Sequence, residues 1–163
     1  PDLYQSAELE DLSLVDPDNR RPVDFTALDQ MLEQSSGSPP PDPMSGRFKQ
    51  WLVARCLSCR ADHAELFAEG THEALPVDGA HAHYFVASLR EHKGSAALVL
   101  LQRLPMSLMR EADPIDASVE LPARLNGVPF ANALTDSVLR GAGKMPVQTL
   151  LDGLPVALVV ASS

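Results

Sequence analysis

The run Asp16-Pro17-Asp18-Asn19-Arg20-Arg21 sets carboxylates, an amide and guanidinium groups around one proline. Carboxylates accept and guanidinium groups donate in paired, fork-like geometry, so this run can hold a polar ligand by several hydrogen bonds at once. The same residue types also knit a loop to itself, Asp16 and Asn19 through Asx turns and the arginines through surface salt bridges. Both roles stay open on the residues alone. Gln5 and Glu8 bring a further amide and carboxylate to the same opening segment.

Other residues with metal-binding or nucleophilic potential are better read as structure. Cys56 and Cys59, followed by His63, fall on one helical stripe with Phe48 and Leu52. A structural zinc site takes four ligands from more than one element, and a buried cysteine packs as a small apolar side chain. His81 and His83 alternate along an expected strand and would face the same way, with no acidic or cysteine partner fixed nearby. Glu65, Glu69 and Glu73 recur every fourth residue but cross Gly70, and read as solvated charge. No Gly-rich phosphate loop, nucleophile elbow or nucleotide motif occurs, and no cofactor or metal is called for.

The elements that must carry these residues follow from periodicity and breakers. Residues 1–24 mix Pro, Asp, Asn and Ser at turn spacing and read as a long ordered loop. Starting at Pro1 without a Met, the sequence reads as the continuation of a longer chain. Phe25, Leu28, Met31 and Leu32 have helical spacing and predict a helix over 25–34, with Asp24 as N-cap. Residues 35–46, SSGSPPPDPMSG, exclude regular structure because proline fixes φ and lacks a donor; they form a surface linker. A second helix is predicted over 47–63.

After Gly70 the pattern becomes short Val-, Leu- and Ala-rich segments between Gly, Pro, Asp and Asn. THEALPV, HYFVASLREH, AALVLLQRL, ASVELPA, VQTLL and PVALVVAS are expected strands, which without long helices between them suggest an antiparallel sandwich. Pro105 to Asp113 reads as a helical turn or a loop.

Composition narrows the function classes. At 163 residues, with 45% hydrophobic and 21% charged residues, the chain suits one ordinary domain or one plus part of a neighbour. A formal net charge of -9, with no basic run beyond Arg20-Arg21, argues against nucleic acid and against an anionic membrane as partners. The longest apolar run, 96–101, is too short to span a bilayer. Two cysteines make no disulfide framework, which favours a reducing compartment, the cytoplasm by default.

Residues 1–25, PDLYQSAELEDLSLVDPDNRRPVDF, resemble a segment of the maltooligosyltrehalose synthases of the α-amylase superfamily. The likeness is unbroken from Asp11 to Asp24. The family usually has Gly, Thr and Trp where this chain has Ser6, Ala7 and Glu10. Ser6 replaces a residue free to take positive φ, and Glu10 removes an aromatic face. Two further stretches are similar to the family: KQWLVARCLSCRADHAELFAEGTHEALPV, Lys49 to Val77, and the closing GLPVALVV.

The resemblance implies an α+β fragment. Residues 1–63, with the Pro-rich linker 35–46, would be the last loop and helices of a catalytic (β/α)8 barrel; residues 64–163 would be an antiparallel β-sandwich C-terminal domain. Barrel enzymes build their sites from loops at the C-terminal ends of the strands, which is where the opening segment would lie. The family converts the reducing-end α-1,4 linkage of a maltooligosaccharide to α,α-1,1 by intramolecular transglucosylation. That chemistry resembles a retaining glycosidase, whose nucleophile and acid/base carboxylates stand about 5 Å apart. The superfamily's catalytic carboxylates lie on earlier strands, so this chain alone is expected to be inactive.

What the resemblance leaves to the opening segment is substrate binding, by Arg20 and Asp16 first, then Asp18, Asn19 and Arg21, with Glu8 and Gln5 at the strand exit. The implied partner is a maltooligosaccharide held with the help of the barrel. Helices that normally pack on a barrel would expose apolar stripes in a fragment, so self-association is a further expectation. The alternatives are a fragment of another glucan hydrolase of the superfamily and a noncatalytic glucan-binding β module. A module of that kind would need exposed aromatic platforms, and of the eight aromatics only Tyr4 and Tyr84 stand outside apolar patterns.

Overall fold

The structure is a computed structural model, and it describes residues 8–9, 22–35, 37–110 and 114–161. They divide into two compact units, 1–57 and 58–163. The dividing point lies inside a helix.

In the first unit, helix α1 (Phe25–Gln34) occupies the predicted span. Asp24 Oδ1 accepts from the Ala27 N–H at 3.0 Å, satisfying one of the donors that a helix start leaves without a partner. Ser35 closes the other end, its hydroxyl donating to the Met31 carbonyl at 2.8 Å. None of α1's residues is buried, and Phe25 and Leu32 are 48% and 44% exposed. A helix with four apolar residues on one stripe ordinarily covers that stripe.

Helix α2 (Gly46–Asp62) follows the Pro-rich linker. Asp42 turns the chain by accepting from the Met44 N–H, and Ser45 Oγ accepts from the Phe48 N–H as the helix begins. Phe48 and Trp51 are buried at 4% and 2% exposure, with ring centroids 5.4 Å apart. The Trp51 indole donates to the Gly37 carbonyl, and Gln50 Nε2 donates to the Leu28 carbonyl. Gly37 holds φ +107°, a conformation open to glycine, and this aims its carbonyl at the indole. The packed face of α2 in this unit therefore runs through Phe48 and Trp51. The expected stripe shifts by one step, and Leu52 and Cys56 are only half-buried.

The second unit contains helix α3 (Ala64–Glu69), strands β1 (Glu73–Leu75) and β2 (Val77–Asp78), and the long hairpin β3 (Phe85–His92) and β4 (Ser95–Gln102). After the hairpin come one turn of helix, α4 (Pro105–Leu108), and strands β5 (Ser118–Glu120), β6 (Pro129–Asn132), β7 (Val138–Arg140) and β8 (Lys144–Pro146). Helix α5 (Val147–Leu151) and strand β9 (Val156–Ala161) close the fold. The strands form a six-stranded sheet of order β1-β3-β4-β9-β6-β7 and a three-stranded sheet of order β2-β5-β8. Every pairing is antiparallel. The unit is thus α+β with antiparallel sheets.

Alternation explains the layout. In β3 the residues Phe85, Ala87 and Leu89 point inward, and opposite them β4 turns in Leu98 and Leu100. These join Phe130 and Val159 of the same sheet, Val119 and Met145 of the smaller sheet, and Val147 and Leu150 of α5 in one core. Each fully buried Leu or Val contributes about 1.5–3 kcal/mol relative to exposure. Strand β9 is buried on both faces from Ala157 to Ala161, as its continuous apolar run requires. The β3–β4 turn, Lys93-Gly94, takes positive φ at both residues, the conformation whose twist matches the flanking strands.

Some expected elements are different. VQTLL is helix α5 instead of a strand: Val147, Leu150 and Leu151 face the core at helical spacing, which a five-residue run does not distinguish from strand alternation. His81 and His83 do not alternate along a strand. His81 precedes a 3-10 turn, Ala82–Tyr84, that contains His83, and the His81 ring accepts from the Asp116 N–H at 2.9 Å. Strands β6, β7 and β8 had no counterpart in the sequence reading because each is three or four residues long and two contain Pro at an end. Among the described residues, no helix is long and apolar enough to cross a membrane.

Candidate functional site

Of the candidate binding residues, Glu8 lies within the described structure; Gln5, Asp16, Asp18, Asn19, Arg20 and Arg21 lie outside the described residues, as do Ser6, Ala7 and Glu10. Glu8 sits in a turn, half-buried, and its Oε2 atom is enclosed with no hydrogen-bond partner. An enclosed carboxylate oxygen without a donor carries a desolvation cost of about 1–3 kcal/mol or more.

The neighbouring residue is held from α2. Lys49 Nζ donates to the Leu9 carbonyl at 3.0 Å. Lys49 is flanked by buried Phe48 and Gln50, and Gln50 in turn bonds α1. Arg47 adds a 2.6 Å bond from its guanidinium to Gln34 Oε1, across the Pro-rich linker. Sequence reasoning did not single out Lys49. The available signal was that the second family-like stretch begins at that residue.

The cysteines of α2 are packing residues. Cys59 is buried at 7% exposure, and burial raises the pKa of the half-buried Cys56 thiol, which disfavours a reactive thiolate. His63 starts α3 without capping it. Tyr84, the candidate aromatic platform of the second unit, is buried at 4% exposure and therefore presents no face to a glucan.

The charged clusters of the second unit hold its elements together. Glu65 accepts from Lys93 Nζ at 3.0 Å and lies 3.6 Å from His92 Nε2, while Glu69 lies 3.7 Å from the same nitrogen. Lys93, then His92, holds the Glu65 carboxyl below the usual range. Arg124 forks onto both Glu91 oxygens at 3.0 Å and reaches Glu73 at 3.2 Å, tying β3 to β1. Glu91, then Glu73, raises the guanidinium's pKa. Lys144 on β8 bonds Asp78 on β2 at 2.6 Å and lies 3.6 Å from Glu120 on β5. Asp78 is lowered and Lys144 raised chiefly by each other. Glu65, Glu73, Glu91, Asp78 and Glu120 each face a lysine or arginine from another element, so these pairs join elements of the fold. Among the described residues, no group of three or more His, Cys, Asp and Glu side chains could hold a metal ion.

No family model matches the chain. It is 34% identical over 160 residues to proteins named maltooligosyl trehalose synthase in two strains of Mycobacterium tuberculosis, an alignment covering 98% of this chain and 18% of theirs. Solved structures of maltooligosyltrehalose synthase from Arthrobacter ramosus, wild type and a point mutant, share 35% identity with it. They superpose with TM-scores of 0.77 and 0.78 over 99% of this chain and 20% of theirs. The chain spans about a fifth of the length of the relatives it matches.

Proposed function

We propose, for a chain that matches the C-terminal portion of maltooligosyltrehalose synthases along its length, that it forms one wall of a site whose catalytic carboxylates lie in the preceding part of the protein. The observation that carries this reading is the end-to-end match, in sequence and in shape, to synthases about five times as long. Residues 1–63 are then the last loop and helices of a (β/α)8 barrel, and residues 64–163 a C-terminal β domain. The uncovered apolar stripe of α1 supports this assignment, since a helix from the outer ring of a barrel would lay that stripe on the barrel strands.

The reaction is an intramolecular glucosyl transfer at the reducing end of a maltooligosaccharide, an isomerisation from an α-1,4 to an α,α-1,1 linkage in the cytoplasm. Upstream carboxylates supply nucleophile and acid/base. The opening segment holds the reducing-end glucose so that a sugar hydroxyl attacks in place of water, which such a transfer must exclude. Arg20 and Asp16 grip vicinal hydroxyls, with Asp18, Asn19, Arg21, Gln5 and Glu8 as further substrate contacts.

Incubation of the purified chain with maltopentaose tests this. The expected result is no trehalose-ended product, with activity appearing only in the full-length protein. Turnover by this chain alone would sink the proposal, and tight glucan binding without turnover would make it a carbohydrate-binding module instead.

A further inference from the structure

We propose that His81 and Asp116 form an acid-released latch at the end of the small sheet. Strands β2 and β5 pair at two positions, Val77 with Val119 and Asp78 with Ser118. Just beyond the second, three hydrogen bonds join residues 80–81 to Asp116. Asp116 Oδ2 accepts from the Ala80 N–H at 3.1 Å, and the Asp116 carbonyl accepts from the His81 N–H at 2.9 Å. In return the Asp116 N–H donates to His81 Nδ1 at 2.9 Å. Gly79 lets the two segments come this close. It holds φ +117°, and a Cβ there would stand 2.5 Å from the Asp116 carbonyl oxygen.

The third bond depends on charge. A ring nitrogen accepts only while it carries no proton, and histidine is the side chain that ordinarily gains one between about pH 8 and 5. A proton on Nδ1 sets two N–H groups head to head, so the bond breaks and the Asp116 amide loses its acceptor. The surrounding charges leave this intact. The Asp116 carboxylate is engaged by the Ala80 N–H, and Asp78 on β2 is paired with Lys144 on β8. The Tyr84 ring stacks 6.4 Å from His81, and His83, 3.9 Å from Tyr84, adds like charge when it protonates. The unfolded chain has no such bond to lose. The latch's contribution is therefore complete above the ordinary histidine value, about 6.5, and is lost as pH falls below it. The Asp78–Lys144 crosslink keeps its charges throughout this range, so release is confined to the loop after β2 and the approach to β5.

Hydrogen exchange of the purified chain, read at single amides and corrected for the intrinsic pH dependence, tests the latch at about pH 7.5 and about pH 5. Protection of the Asp116 amide is expected to fall about two- to tenfold at the lower pH, the loss of one hydrogen bond, while amides of the β3–β4 hairpin hold. In H81N the side-chain oxygen stands close to the position of Nδ1 and accepts at either pH, so Asp116 protection should not change. D116N keeps an acceptor for the Ala80 N–H and should retain the wild-type response, which separates ring protonation from carboxylate titration. Constant protection in the wild type, an equal fall in H81N, or loss of the response in D116N would each overturn the latch. Should H81N not fold, nitrogen NMR shifts of the wild-type ring decide. The latch requires Nδ1 to be bare at the higher pH and to gain its proton together with the loss of Asp116 protection. A proton on Nδ1 at the higher pH, or protection that falls without ring protonation, overturns it.

Discussion

At the scale of single residues, carboxylates differ in whether a cation faces them. Glu8 has an enclosed oxygen with nothing to accept from, whereas Glu65, Glu73, Glu91 and Asp78 each face a cation. Both kinds look alike in sequence, since a carboxylate's partner is often distant in the chain; the Asp78–Lys144 pair is separated by 66 residues. For the candidate binding run, Arg20→Ala in the full-length protein should lower kcat/KM by an amount equivalent to about 1–3 kcal/mol if a charged hydrogen bond to substrate is lost. An unchanged value would return Arg20 to a loop-tying role. The Cys56/Cys59 pair was legible as packing because a helix places residues three apart on one side.

At the scale of elements, long periodic segments were legible and short ones were not. Helix α1 and its Asp24 cap, helix α2 and the strands β3 and β4 follow directly from spacing and breakers. Helix α5 was read as a strand because Val, Leu and Leu within five residues suit either period, and only the core decides which face they need. Removing one of its anchors tests that choice: Leu150→Ala, at a position with 0% exposure, should cost about 2–5 kcal/mol in denaturant unfolding. A near-neutral change would mean that α5 is not packed as described.

The small sheet β2-β5-β8 adds a dependence on pH through its crosslink. Asp78's pKa is lowered in the folded state, so its contribution is complete above the unfolded carboxylate value, about 3.9, and is lost as pH falls through the folded value. Lys144's pKa is raised, so its share holds below about 10.4 and disappears as pH rises through its folded value. The pair therefore acts between those limits. Both groups are exposed, so the effect is modest and weakens with salt. D78N should make the stability of the purified chain less steep in pH below about 4, measured as the denaturation midpoint across an acid series. An unaltered slope would show that the crosslink contributes nothing.

At the scale of the whole molecule, the apolar surface left open by the described residues has a pattern. Phe25 and Leu32 lie uncovered on α1, and on the large sheet Val86 and Leu101, directly opposite each other, are 50% and 46% exposed. The isolated chain is therefore expected to self-associate, and Leu32→Gln should raise its monomer fraction in sedimentation velocity. A monomeric parent chain at high concentration would contradict that expectation. Such surface fits a chain spanning a fifth of its relatives' length. What the amino-acid order determined alone was local: where proline forbids regular structure, where apolar spacing makes α1, α2 and the strands β3 and β4, and which opening residues resemble the synthases. Only the tertiary structure decided that α5 is a helix, that three very short strands complete the sheets, that Tyr84 is buried, and that Lys49 reaches across to the residue beside Glu8. The reason is physical. Periodicity and backbone stereochemistry act over a few residues, whereas burial and hydrogen-bond pairing depend on groups brought together from distant parts of the chain.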